Sequence, residues 1–432
     1  MPIKSWSKML HKVDHRTNGL WRYNLIYSLF AAGRMGTGAT IVIFMLANGS
    51  SLADIAAIKL VQGVVILLAE IPTGLIADLY GRKKSVLAAC FSAILSFAAY
   101  YFGRDVPWFY AAEILNALAI SFWSGAFNAL VVDNNPHLSR QGLSLDVVFS
   151  RMATFGSIAT MLGGFIGGLL ATKNLGAPFL FASAIMILTA LSLGGLVNED
   201  QRSRNEPKLG TSFSRRCRDF GAKIITNVKI SIKEGFASPR LRPIFLLQIA
   251  SQFALQPVFH YWQPYFNEFN ANLTTGDLGT IFLAYVGVQA LYLAISSQIM
   301  KRRGITSETV LLANVLLMTV SFGVMSSAHG LSTALPFFLI MQGANASFQA
   351  LIGSSANKHI PSGQRATILS SISFVSRIGM LGCLTGVELA VEKVGIQNLY
   401  WMSFAATLAM LPLLFSWQRT NRVEEHSQMR AA

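Results

Sequence analysis

Residues 52–84 read LADIAAIKLVQGVVILLAEIPTGLIADLYGRKK. From Leu52 to Asp78 the stretch is apolar over a length that, coiled as a helix, crosses roughly 30 Å of hydrocarbon. It stops at three cations, Arg82, Lys83 and Lys84, and a second apolar run begins at once. The same alternation recurs along the chain and predicts spans at 22–47, 52–78, 84–102, 107–132, 147–172, 177–197, 243–266, 276–300, 306–327, 332–356, 366–390 and 396–417. The expected fold class is an all-α membrane protein of twelve transmembrane helices. The short alternating segments of a β-barrel are absent from the pattern.

Composition agrees with lipid as the main solvent. Of 432 residues 53% are hydrophobic and 13% charged, about half the charged fraction of a soluble domain. The net charge of +15 does not imply nucleic-acid binding, because the cations sit in short loops between apolar runs and form no single patch. Cys90, Cys217 and Cys383 show no paired spacing, so neither a disulfide nor a metal site is expected, and no cofactor. The first twenty residues are polar and basic (Lys4, Lys8, Lys12, Arg16) and lead into an apolar span without a small-residue cleavage site, which reads as a retained first helix.

Lysine and arginine concentrate on the cytoplasmic side of a membrane. With the N-terminus inside, 29 of the 35 fall in inner segments, and only Arg104, Lys173 and Lys393 fall in outer loops. Arg34, Lys59 and Arg377 remain within spans. Both termini are therefore expected in the cytoplasm. The long hydrophilic stretch 198–242, with eleven cations and an amphipathic part (Ile224, Ile225, Val228, Ile232), separates an N-terminal six-helix bundle, 1–197, from a C-terminal one with its tail, 243–432.

The segment Gly74-Leu-Ile-Ala-Asp78-Leu-Tyr-Gly81-Arg82-Lys83-Lys84 resembles the signature loop between helices two and three of the major facilitator superfamily, in the same topological slot. Gly74 lets a helix of the other half approach closely, and Asp78 pairs with Arg82 or faces the positive N-terminus of a neighbouring helix. The resemblance makes that neighbour helix eleven, and makes Gly74, Asp78, Gly81 and Arg82 a latch that favours the outward-facing form. The corresponding loop of the second half, Ala294 to Arg303, keeps its cations but has Gln298 in place of the acid, a degenerate copy. Glu70-Ile-Pro72-Thr73-Gly74 and the end of helix four, Ser124 to Asp133, are similar to stretches in a bacterial branch of the superfamily, which implies the cell inner membrane. Gly163-Gly164-Phe-Ile-Gly167-Gly168 is similar to the glycine motif of drug and proton antiporters, with Gly164 where that motif has proline. A close helix contact explains the same glycines equally well.

A charge near the bilayer centre costs about 2.5–3.5 kcal/mol even on lenient scales, so each one needs a partner or a task. By the resemblance, helices one, four, seven and ten line a central cavity and place Arg34 there, with Tyr27 on the same helical face. Arg34 is read as a substrate-anion site or as half of a structural ion pair. On helix four, Glu113, Asn116 and Trp123 share a stripe, and Glu113 is a candidate proton carrier or the partner of Lys59. Glu70 and Asp133 lie nearer the cytoplasm, with Arg151 close by. Helix seven offers Gln252, Gln256 and His260, helix ten offers Gln342, Asn345 and Gln349, and Arg377 supplies a second cation on helix eleven.

These readings favour alternating-access transport of a small anionic or zwitterionic molecule, coupled to protons, by a monomer in the bilayer. Efflux of lipophilic drugs against protons is the alternative. An enzyme is not expected, since no nucleophile elbow, metal-ligand cluster or phosphate-binding loop is present in the sequence. A six-plus-six layout also favours a rocking transporter over a ring-shaped channel.

Overall fold

The computed structural model describes residues 19–135, 145–198, 241–359 and 365–431, with scattered residues between 226 and 239. The N-terminal lysines, Arg140, Cys217 and most of the basic linker lie outside the described residues. The described helices are α1 Leu20–Met35, α2 Ile41–Ala47, α3 Leu52–Tyr80, α4 Arg82–Phe102, α5 Val106–Asp133, α6 Leu145–Ala171, α7 Ala177–Leu196, α8 Leu241–Phe269, α9 Thr275–Arg303, α10 Ser307–Ser326, α11 Leu331–His359, α12 Arg365–Val394 and α13 Ile396–Ala431. Among the described residues there is no strand.

Ten of these helices, α3 to α7 and α9 to α13, are long and apolar enough to cross a membrane. The other two expected spans differ for physical reasons. The first is broken at residues 36–40 into pieces of 16 and 7 residues. The other, α8, carries Gln248, Gln252, Gln256, His260 and Gln263 along its middle, with Arg242, Asn267 and Glu268 towards its ends, and also holds Pro257 and Pro264. Its polar groups are tolerated because much of the helix is enclosed by protein.

The helix starts are written in the local sequence. Ser51 and Asp54 form a capping box at α3, and Thr274 and Asp277 form its counterpart at α9, so the second helix of each half begins with the same device. Between α3 and α4 the chain reverses through Gly81 at φ 104°, a conformation that costs other residues their Cβ clearance. Gly304 at φ 61° ends α9 in the same way.

Within the first group of helices α1 packs on α6 and α7, and α4 on α5 and α7; within the second, α10 packs on α11 and α13, and α8 on α12 and α13. The groups meet along α3 with α12, α6 with α9, and α2 with α8. The face carrying the start of α1 and the α3–α4 turn is called here the basic face.

At the opposite, far face the two groups are fastened together. Tyr261 Oη donates to Leu52 O at 2.8 Å, and Ala53 N donates to Glu392 Oε1 at 3.1 Å. Gln263, buried on α8, donates through Nε2 to Gly38 O at 2.8 Å and accepts from Val42 N at 3.2 Å. One side chain of the second group thus satisfies backbone groups that the break between α1 and α2 leaves without helical partners. Gln263→Leu is expected to leave both groups buried and unpaired, about 1–3 kcal/mol each, in this state alone. The population then shifts toward a state open at the far face. Spin labels at Ala47→Cys and Asn270→Cys report it as a longer distance than in the same pair with Gln263 retained; an unchanged distance counts against the role.

The four glycines of α6 work as two pairs. A Cβ at Gly163 or Gly167 would collide with the backbone of Ala32 or Gly36 in the first group; at Gly164 or Gly168 it would collide with Phe282 or Gly279 of α9. The motif is therefore a contact on both flanks of one helix, one flank of which seals the two groups together. Along α3 the contact with α12 runs from Gly63, against Met380 and Leu381, to Glu70, which pairs with Arg377. Nearer the basic face Gly74 meets open space, and Asp78 is exposed.

Candidate substrate site

The break at the end of α1 places Arg34 in that helix's last turn, where its cation complements the partial negative charge of the helix end. Its guanidinium is open to a cavity of about 310 Å³ between α1, α5 and α6. The walls are Tyr27, Phe30, Ala31 and Met35 from α1, Trp123 from α5, and Ala153, Gly156, Ser157 and Thr160 from α6. Tyr27 fits because position 156 is glycine; a Cβ there would strike the ring. Phe30 stacks on Trp123 at 3.6 Å between centroids and 6° between planes, and Trp123 stacks on Phe127 at 4.3 Å and 9°. Tyr27, Arg34 and Trp123 are thus brought together as the sequence predicts. Phe30 and Gly156 were missed, since an aromatic residue and a glycine within an apolar span carry no signal of their own.

Among the described residues the Arg34 guanidinium makes no hydrogen bond and no ion pair, while Glu113 acts on it through space. The other two cations within spans are neutralised. Lys59 pairs with fully buried Glu113, which also accepts from Tyr100 Oη at 2.7 Å and Asn116 Nδ2 at 2.9 Å. Glu113 therefore meets Lys59, as one of its two readings predicts. Asn116 serves this carboxylate and does not line the cavity. Tyr100 comes from α4, and nothing in its own stretch of sequence announces the contact.

Arg377 is held by Glu70 across the contact between the two groups. Arg377, expected as a second substrate cation, does not line the Arg34 cavity and has its charge answered by Glu70 in this conformation. Arg377→Gln is expected to lower the thermal midpoint only slightly, since it loosens a partly exposed pair worth at most about 1 kcal/mol; a large drop would mean that the contact between α3 and α12 depends on the pair.

The polar residues of the second group are spent on each other in this conformation. Gln256 Nε2 donates to Gln252 O at 3.0 Å, and its Oε1 meets His260 Nε2 at 3.2 Å. Gln342 accepts from Gln289 at 3.1 Å, and Asn345 accepts from Gln349 at 3.4 Å. None of Gln256, His260, Gln342, Asn345 and Gln349 lines the Arg34 cavity. Gln263, three residues beyond His260 and seven beyond Gln256, lies on the same stripe and was within reach of the periodicity.

The signature loop also departs from expectation. Arg82 Nε pairs with Asp133 Oδ2 at 2.9 Å, where Asp78 was one expected partner, and Arg151, expected near Asp133, lies over the Phe155 ring. Lys83 Nζ donates to the terminal carbonyls of α7, Gly194 O at 3.1 Å and Val197 O at 2.6 Å, and Arg22 Nη1 donates to Leu196 O at 3.0 Å. These cations cap a helix end in addition to any topological part.

A bundle of long apolar helices in two groups, joined across one face by hydrogen bonds and holding in the first group a cavity that Arg34 faces, has the form of a multi-pass membrane protein. Residues 24–382 match the family model of the Major Facilitator Superfamily, and the chain belongs to that family, whose members are secondary transporters and not enzymes. It is 22% identical over 375 residues to the uncharacterized MFS-type transporter YxaM of Bacillus subtilis, covering 86% of this chain and 89% of that one. Over 115 residues, 27% of this chain and 28% of the other, it is 30% identical to multidrug resistance protein 2 of the same organism. Among solved structures, the nucleoside transporter NupG superposes with a TM-score of 0.72 at 13% identity over 93% of this chain and 98% of that one. A POT family transporter in complex with 5-aminolevulinic acid superposes with 0.71 at 13% identity over 92% and 95%. At such identities the likeness is one of fold.

Proposed function

We propose that this chain carries a small organic anion across the cell inner membrane by alternating access, driven by a proton gradient, with Arg34 as the seat of the anion's charge. The observation that carries the reading is the contrast among the three cations deep within the spans, Arg151 lying near the basic face. Lys59 and Arg377 each have a carboxylate, whereas Arg34 faces a cavity with no ion-pair partner among the described residues. A guanidinium that faces a cavity without an ion-pair partner among the described residues is matched by a ligand that brings the opposite charge.

In this reading α1 with α2, and α8, complete twelve spans, both termini are cytoplasmic, and 198–242 links bundles 1–197 and 243–432 of a monomer. The basic face is cytoplasmic, so the conformation is closed outward and open inward. The latch of Gly74, Asp78, Gly81 and Arg82 would tighten when α12 rolls along α3 toward Asp78. Proton coupling through Glu113 requires that Lys59 leave it in the other state.

Efflux of lipophilic compounds is the second reading, favoured by the glycine pairs of α6 at the seal and by the local likeness to multidrug resistance protein 2. Proteoliposomes with an imposed pH gradient, offered organic acids, zwitterions and cationic drugs, separate the readings. Gradient-driven flux of acids that Arg34→Gln abolishes supports anion transport. Flux of cations that survives the substitution supports efflux.

A further inference from the structure

Resting on the reading of Arg34 as the anion seat, we propose that the substrate is a small amphiphile with a single negative charge and an aromatic body, and that zwitterions and dianions are excluded. Three features of the cavity carry this.

The first is charge. Lys59 and Glu113 cancel, and Glu70 and Arg377 cancel, which leaves Arg34 as the one uncompensated positive charge among the described residues that line the cavity. A monoanion neutralises it. A dianion brings a second charge with no cation among the described lining residues, and that charge would be left unpaired once the site closes around the ligand in the transport cycle.

The second is the lack of a place for an ammonium group. The lining residues include no carboxylate. A π face could hold a cation, but Trp123, the strongest of the lining rings in that role, has one face covered by Phe30 and the other by Phe127, and a cation over Tyr27 or Phe30 would meet the repulsion of Arg34. What the indole turns to the cavity is its edge, where the ring quadrupole is positive. Such an edge repels an ammonium group and suits an anion or the face of a substrate ring.

The third is the remaining wall. Beyond Arg34 and the hydroxyls of Ser157 and Thr160, the surface is Ala31, Met35 and Ala153 with aromatic rings, and the volume of about 310 Å³ lies at the small end of ligand pockets. An apolar body fills that space without leaving polar groups unpaired. Edge-to-face contact with Trp123 and Phe30 adds a preference for a planar ring.

The test uses the full chain in lipid nanodiscs and three probes that share one benzyl group. They are 3-phenylpropionate, phenylalanine, which adds an ammonium, and benzylmalonate, which adds a carboxylate. A fourth, 3-cyclohexylpropionate, keeps the charge and saturates the ring. Calorimetric titration is expected to give 3-phenylpropionate at least tenfold tighter than phenylalanine or benzylmalonate and several-fold tighter than 3-cyclohexylpropionate. Arg34→Gln should lose the binding of both monoanions. Trp123→Leu should keep monoanion binding and lose the preference for the aromatic ring.

Equal binding of the three benzyl probes, still dependent on Arg34, overturns the charge rule and leaves the anion seat standing. Equal binding of the two monoanions overturns the aromatic preference alone. Binding of the monoanions that Arg34→Gln leaves unchanged, or no binding of any probe to monodisperse protein, overturns both this inference and the reading it rests on.

Discussion

Arg34→Gln is expected to reduce uptake of an organic acid by at least about 30-fold without destabilising the protein. Removing one side of a buried charge-assisted contact costs roughly 2–5 kcal/mol, and the low end of that range is already a factor near thirty. Glutamine keeps much of the length and the polarity but not the charge, so the loss reports the ion pair with the ligand. Arg34→Lys keeps the charge and loses the planar fork, and should fall between the two. The second readout is the thermal midpoint of the purified protein. Because the Arg34 guanidinium makes no hydrogen bond or ion pair among the described residues, its neutralisation should leave the midpoint unchanged or raise it. A structural arginine behaves in the opposite way, with lowered stability and transport lost only in proportion. That pattern would end the case for Arg34 as a ligand.

Glu113→Gln is expected to be the most damaging single change to stability. Lys59 would remain enclosed with its charge unanswered, a situation that costs about 3–5 kcal/mol in buried pairs. Lys59→Met combined with Glu113→Gln removes both charges while the amide still accepts from Tyr100 Oη, and it should recover most of the loss. The double variant then separates structure from coupling. If the pair only holds α3 to α5, the double variant transports and still responds to the pH gradient. If Glu113 carries the proton, the same stable protein exchanges substrate but ignores the gradient. Additive losses in the two single variants, with no recovery in the double, would mean that the contact is not an energetic pair at all.

Both predictions turn on something the sequence shows only in part. Three cations stand within spans, and hydropathy marks each as an anomaly that needs a partner or a task. Which of them has the partner depends on where helices from distant parts of the chain come to rest. Lys59 finds Glu113 at a separation of 54 residues, and Arg377 finds Glu70 at 307. Helical periodicity orders residues along one helix and carries no register between helices.

The chain itself determined a great deal. Apolar length set most of the spans, basic clusters marked the turns between them, and the capping boxes at Ser51 and Thr274 and the glycines at 81 and 304 wrote the helix ends, because each of these acts over a few neighbouring residues. Helical periodicity put Tyr27 with Arg34 on one face of the first span and Trp123 on a stripe of the fourth, while only the family resemblance turned those faces inward. Tertiary structure alone decided that the first span breaks at Gly36 to Thr40, that Gln263 from the other group mends the break, that Arg82 joins Asp133, and that one arginine of two is left free. The physical reason is range: hydrophobic transfer and backbone conformation are summed residue by residue, whereas the pairing of a buried charge is settled by helix packing, which joins residues hundreds of positions apart.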